Sequence, residues 1–158
     1  MMTDVVKKQL PVLGYKVIDR ITLGVEDDDI NELTDRNYWE NRSTSKMMKN
    51  VDEMFKDLGE LVEGYELKYN KFYVGLAKNG VARNFISFVP KKSFVTLRVH
   101  SEQMPEIDER LEQAGLDIGY NKRRSRYYLK LTKIEELRNN RDDILALVDS
   151  AKSKLGAE

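Results

Sequence analysis

Between Lys71 and His100 lie three runs, KFYVGLAKNG, ARNFISFVPKK and SFVTLRVH, whose apolar residues recur at every second position. A period of two belongs to a strand with one buried face, and a helix cannot satisfy it. On one parity stand Phe72, Val74 and Leu76, then Ile86 and Phe88, then Val95, Leu97 and Val99. Asn79-Gly80 is a tight-hairpin signal, and Pro90-Lys91-Lys92-Ser93 supplies a second turn. Two hairpins in succession commit this part of the chain to an antiparallel sheet. The stretch YNKRRSRYYLKL offers a fourth strand, with Tyr127, Leu129 and Leu131 as its inward parity.

Helical patterns flank the strands. Met47, Met48, Val51, Met54, Phe55, Leu58, Leu61 and Val62 form one stripe, capped by Thr44 or Ser45 and stopped by Gly64. Its methionines could line an adaptable groove, but the stripe is no wider than one buried face requires. Pro105 opens a second helix carrying Ile107, Leu111 and Ala114, and Gly115 closes it. Thr132 and Glu135 suit a capping box for a last helix with Ile134, Leu137, Ile144, Leu145, Val148 and Ala151, which Asn139-Asn140 can break in two. The expected fold class is α+β, an antiparallel sheet of about four to five strands with helices on one face, in the order helix, three strands, helix, strand, helix. Residues 1–43 read as an N-terminal arm, with an extended piece in YKVIDRITLGV and then the acidic, turn-rich EDDDINELTDRNYWENR as a short helix and a loop. Residues 44–158 read as a single α+β unit.

The 158 residues are 41% hydrophobic and 34% charged, a globular rather than a disordered composition. No cysteine is present, which excludes disulfides and thiolate zinc sites and suits a reducing, cytoplasmic setting. No apolar run approaches a bilayer span, and no membrane partner and no cofactor are expected. The formal net charge of zero conceals segregation. Residues 66–100 carry seven bases against Glu66, and residues 119–133 carry six bases and no acid, while residues 23–65 carry twelve acids against five bases. The basic blocks coincide with the strands, so their charges share a surface.

Catalytic constellations are weak. Asp57, Glu66 and Lys68 could be heard as a metal-dependent nuclease set, but Asp57 falls within a helix where that set needs a strand end. Glu26-Asp27-Asp28-Asp29 lacks the spacing and the glycine of a calcium loop, His100 has no second His or Cys partner and reads as a surface or cap residue, and Gly75 and Gly80 make no phosphate loop. A non-enzymatic protein is expected, with no catalytic and no metal residues. The outward sheet parity is more informative. It shows Lys71, Tyr73 and Ala77, then Phe85, Ser87, Val89 and Lys91, then Phe94, Thr96 and Arg98, then Arg126, Tyr128 and Lys130. Interleaved aromatic and basic residues are what single-strand binders use, with rings on bases and cations on phosphates. The expected nucleic-acid-binding residues are therefore Lys71, Arg83, Lys91, Lys92, Lys122, Arg123, Arg124, Arg126, Tyr128 and Lys130. Tyr73, Phe85 and Phe94 could instead lie under the N-terminal arm or form a homodimer or protein-docking face.

The order of ITLGV, ELTDRNYWENR, GYELKYNKFYVGLAKNG, NFISFVPKK, EIDERLEQAGLD and SRYYLKLTK resembles a bacterial and archaeal domain of unknown function known as a predicted transport protein. The likeness runs from about Ile18 onward. It implies an accessory domain of the kind joined to RecB- or NucS-like endonucleases, and no catalytic residues come with it. The nuclease half is not in this sequence, which is either a stand-alone version or a piece of a longer protein. The transport label finds no support in a chain without spans. The closing hairpin, strand and helix are similar in topology to YjbR-type double-wing domains, which implies a frataxin-like fold. Together these features point to an accessory module of nucleic-acid metabolism that contacts DNA or RNA. The competing reading is an oligomerisation or docking module for a nuclease partner.

Overall fold

A computed structural model describes residues 33–156. The extended arm, the acidic run at Glu26–Asp29 and the covering of the sheet by residues 1–32 lie outside the described residues. Residues 34–69 and 73–156 make one compact unit. Leu33 and Asn70–Phe72 belong to a second, in which Leu33 bridges to Asn70 and the Lys71 ammonium lies 5.7 Å from the Phe72 ring centroid.

The main unit starts with α1 (Arg36–Arg42) and α2 (Ser45–Asp57). Asp35 caps α1 by accepting from the Tyr38 N–H at 2.8 Å, and Thr44 caps α2 by accepting from the Met47 N–H at 3.0 Å. Helix α1 turns Trp39 into the core, so the α+β unit begins ahead of residue 44. Arg36 ties this corner together. It donates to both Asp52 carboxylate oxygens at 2.6 and 3.0 Å and to the Tyr69 hydroxyl at 3.2 Å. Helix α2 ends at Asp57, earlier than the stripe suggests, because Gly59 takes a left-handed φ of +59°. A 3₁₀ turn over Gly59–Val62 keeps Val62 buried, and Gly64 serves the following turn.

Among the described residues the sheet holds seven antiparallel strands: β1 (Glu66–Tyr69), β2 (Val74–Lys78), the two-residue β3 (Val81–Ala82), β4 (Ile86–Pro90), β5 (Val95–Val99), β6 (Asp117–Asn121) and β7 (Arg126–Leu131). The spatial order is β1-β2-β4-β5-β7-β6, with β3 paired to β2. Strands β1 and β6 add to those legible from periodicity. Both are short edge strands of mixed polarity, and an edge strand does not need a clean alternation. Asn79 and Gly80, at φ of 53° and 79°, turn β2 into β3. Helix α3 (Pro105–Gln113) lies against β6, and α2, α4 (Ile134–Asn139) and α5 (Arg141–Gly156) cover one sheet face. Asn140 separates α4 from α5. The box opening α4 uses Glu136 rather than Glu135: its Oε1 accepts from Thr132 N at 2.6 Å, Thr132 Oγ1 at 2.9 Å and Lys133 N at 3.3 Å.

The inward parity holds from Val74 onward, whereas Phe72, expected on it, is half-buried and belongs to the other unit. Val74, Leu76, Ile86, Phe88, Val95, Leu97, Val99, Tyr127, Leu129 and Leu131 are all buried in one cluster with the helix stripes. The Tyr127 hydroxyl accepts from Met104 N–H at 2.7 Å and donates to the Asp108 carboxylate, which fixes the start of α3 to β7. The outward parity is not an open face. Tyr73, Ala77, Ser87, Arg98 and Arg126 are buried as well. The Arg98 Nε donates to Ser87 Oγ at 2.8 Å, with its guanidinium 5.2 Å from the Tyr73 ring centroid.

Candidate nucleic-acid interface

The sheet's most informative irregularity lies between β3 and β4. Ala77 pairs with Ala82 and the Arg83 N–H donates to the Leu76 carbonyl at 2.9 Å, yet Val74 pairs with Phe88, so three extra residues fall within 84–87 of the strand facing β2. Such a bulge re-aims side chains. Asn84 fills the gap: its Oδ1 accepts from Leu76 N–H at 2.9 Å and its amide donates to the Tyr73 hydroxyl at 3.4 Å. Gly75 is what lets Asn84 in, since a Cβ there would stand 2.2 Å from the Asn84 Oδ1. Arg83 is exposed like Val81 and Ala82 before it, and past it the bulge turns Phe85 out of the outward parity expected for it, edge-on to Tyr65 with centroids 5.4 Å apart.

Around Tyr65 the cations converge. The Lys78 ammonium lies 5.1 Å and the Lys152 ammonium 5.4 Å from its ring centroid. With Arg83, Leu155 and Gly156 they line a cleft of about 450 Å³. Lys78 comes from the end of β2, Arg83 from the bulge and Lys152 from the last turns of α5. The helix carbonyl end favours lysine at that position in any case; Lys78 and Arg83 have no such reason to be there. Among the described residues no carboxylate forms an ion pair with Lys78, Arg83 or Lys152. Arg36, Arg110 and Arg138, by contrast, are paired with Asp52, Asp143 and Asp57.

Leu155 also borders a smaller cleft, of about 170 Å³, lined by Asn84, Phe85, His100 and Lys154. His100 is part-buried rather than a surface residue. Burial first, and then the charges of Arg98, Lys154 and Arg124, push its pKa down to about 4. The imidazole is therefore neutral at physiological pH in a strongly positive neighbourhood. That effect links the β6–β7 turn, where Arg124 sits, to the α5 end, where Lys154 meets Glu102 at 3.2 Å. Another cleft, about 420 Å³ between α4 and α5, mixes Arg138 and Arg141 with Asp142 and Asp143 and has no single sign of charge.

The expected binding residues divide between these places. Lys122 and Arg123 are exposed on the β6–β7 turn, at the same sheet end as Arg83 and His100, and Arg124 there is half-buried. Lys91 and Lys92 are exposed on the β4–β5 turn, beyond the Pro90–Val95–Leu131 register and so at the opposite end. The length of β5 puts the two turns roughly 15 Å apart or more. Arg126 is 4% exposed and its guanidinium lies 5.9 Å from the half-buried Tyr128 ring, so neither is a free platform. Lys130 is exposed, 5.2 Å from the Phe94 centroid and 3.9 Å from Asp117. Lys71 belongs to the other unit. Tyr73 and Phe85 are buried, and Phe94 is half-buried, so the proposed docking aromatics do not form an open patch. Asp57 accepts from Arg138 Nε at 2.6 Å, away from any metal role, and no group of three or more metal-ligating residues occurs among the described residues. Tyr65, Lys78, Lys152 and Lys154 were not legible as site residues. They come from separate stretches of the sequence, and only the tertiary fold gathers them.

No protein-family model, no curated protein and no solved structure matches this chain. No helix among the described residues is long and apolar enough to cross a membrane.

Proposed function

We propose that this protein is a non-enzymatic nucleic-acid-binding module that holds backbone phosphates along the β3–β4 bulge end of its sheet. The observation that carries this reading is the convergence of Lys78, Arg83 and Lys152, without ion-pair partners among the described residues, beside Lys154 and the Lys122–Arg124 turn. In a chain with 27 acids and 27 bases, leaving cations unneutralised on one surface favours an anionic partner. Phosphates fit because lysine and arginine from several elements can follow a charged backbone. The partner surface is thus the end of the sheet rather than its aromatic face. The resemblance to accessory domains of RecB- and NucS-like endonucleases points the same way and makes a nuclease a natural neighbour, and a YjbR-like arrangement of the closing hairpin, strand and helix is part of the same proposal.

Fluorescence anisotropy with labelled single- and double-stranded oligonucleotides tests the reading. Lys78→Glu/Arg83→Glu/Lys152→Glu should weaken binding at low salt by at least about a hundredfold, since three phosphate contacts are reversed. Lys91→Glu/Lys92→Glu, at the other sheet end, should change it far less. Equal losses from the two variants would reject the assignment of the surface.

A further inference from the structure

The Tyr65 cleft brings three cations, Lys78, Arg83 and Lys152, and one aromatic ring into a single concavity. A phosphodiester chain carries one charge per nucleotide and spreads it along its length. Three cations focused on one cleft suit a more concentrated charge, and a phosphate monoester is nearly dianionic at neutral pH, with several strong acceptor oxygens. The cleft volume of about 450 Å³ is in the range that holds a small organic ligand and is far too small for a duplex. Its wall is mixed: Lys78, Arg83 and Lys152 supply charge, while Tyr65 and Leu155 supply a ring and an apolar surface. Both ammoniums lie within 5.4 Å of the ring centroid, so two cations and the ring stand together in the cleft wall. The neighbouring Phe85 holds the Tyr65 ring edge-on.

We infer that the Tyr65 cleft is a site for a nucleoside phosphate monoester, its phosphate held by Lys78, Arg83 and Lys152 and its nucleoside resting against Tyr65 and Leu155. The inference rests on the phosphate-binding reading of the same sheet end and narrows it to a terminal group. The monoester can be that of a free nucleotide or of a strand end, and the two sources are separable.

The test is titration of the full chain with AMP, adenosine and inorganic phosphate, and with one oligonucleotide carrying 5′-phosphate, 3′-phosphate or only hydroxyl ends. The inference predicts that AMP binds and adenosine does not, or that a phosphorylated strand binds tighter than its hydroxyl-ended twin by roughly tenfold, as a charge-assisted contact set implies. AMP binding alone assigns the site to free nucleotides, and end preference alone assigns it to strands. Lys78→Ala/Lys152→Ala, which removes only surface ammoniums, should abolish the preference, and Tyr65→Phe should keep it. Hydroxyl-ended and phosphorylated strands binding equally, with no AMP binding, would overturn the inference while leaving the phosphate-backbone reading intact. No binding of any oligonucleotide would remove that reading, and AMP binding would then decide the cleft by itself.

Discussion

His100 shows how much a single side chain reports about its surroundings. Its imidazole is held neutral by burial and by Arg98, Lys154 and Arg124, with a pKa of about 4 against 6.5 for a free histidine. The unfolded chain therefore binds a proton between those values that the folded chain does not, and stability falls as pH drops from about 6.5 to 4. The contribution lost by pH 4.5 is about 2–3 kcal/mol. Urea denaturation at pH 7 and pH 4.5 should show it, and His100→Gln should flatten that part of the dependence. An unchanged slope in the variant would show that His100 titrates normally. The Tyr127 hydroxyl makes a second residue-scale case, because burial and its bond to Asp108 both raise its pKa and keep it protonated as the donor. Tyr127→Phe leaves Asp108 and the Met104 N–H without that partner, and should cost about 1–2 kcal/mol in denaturant unfolding.

Among the elements, the bulge at Asn84 and Phe85 has the most consequence for the candidate site, since it directly follows Arg83 and sets Phe85 edge-on to Tyr65, which lines the cleft. Gly75→Ala places a methyl group 2.2 Å from the Asn84 Oδ1, so either β2 shifts or Asn84 leaves the Leu76 N–H. A loss of about 1–3 kcal/mol in thermal or denaturant unfolding is expected, with weaker oligonucleotide binding in the protein that remains folded. A variant as stable as the parent would mean the bulge has room to spare. This is also where reading the sequence stops short. Alternation along Val74–Leu76, Ile86–Phe88 and Val95–Val99 was legible because each strand buries one face against helices. The caps at Thr44 and Pro105 were legible because they act within one turn. The three extra residues carry no turn signal, since ARNFIS holds neither glycine nor proline, and only the pairing of β2 with both Ala82 and Phe88 reveals them. The helix stop at Gly59 rather than Gly64 was ambiguous for a similar reason, two glycines and one apolar stripe. The basic run at YNKRRSRYYLKL was visible, but its division into the buried Arg126 and the exposed Lys122 and Arg123 depends on what covers the strand.

At the scale of the whole molecule, net neutrality is divided unevenly. Acids on α1, α2 and α5 are partly spent on Arg36, Arg138 and Arg110, while Lys78, Arg83 and Lys152 have no carboxylate partner among the described residues. That arrangement gives a neutral protein a local positive potential, which drives association with polyanions and is screened over about 10 Å at ordinary salt. The most direct measurement is the salt dependence of single-stranded oligonucleotide affinity for the parent chain and for Lys78→Glu/Arg83→Glu/Lys152→Glu. Three phosphate contacts predict a slope of log K against log salt of about −2 in the parent, reduced towards zero in the variant. A parent slope near zero, or an identical slope in the variant, would contradict the account.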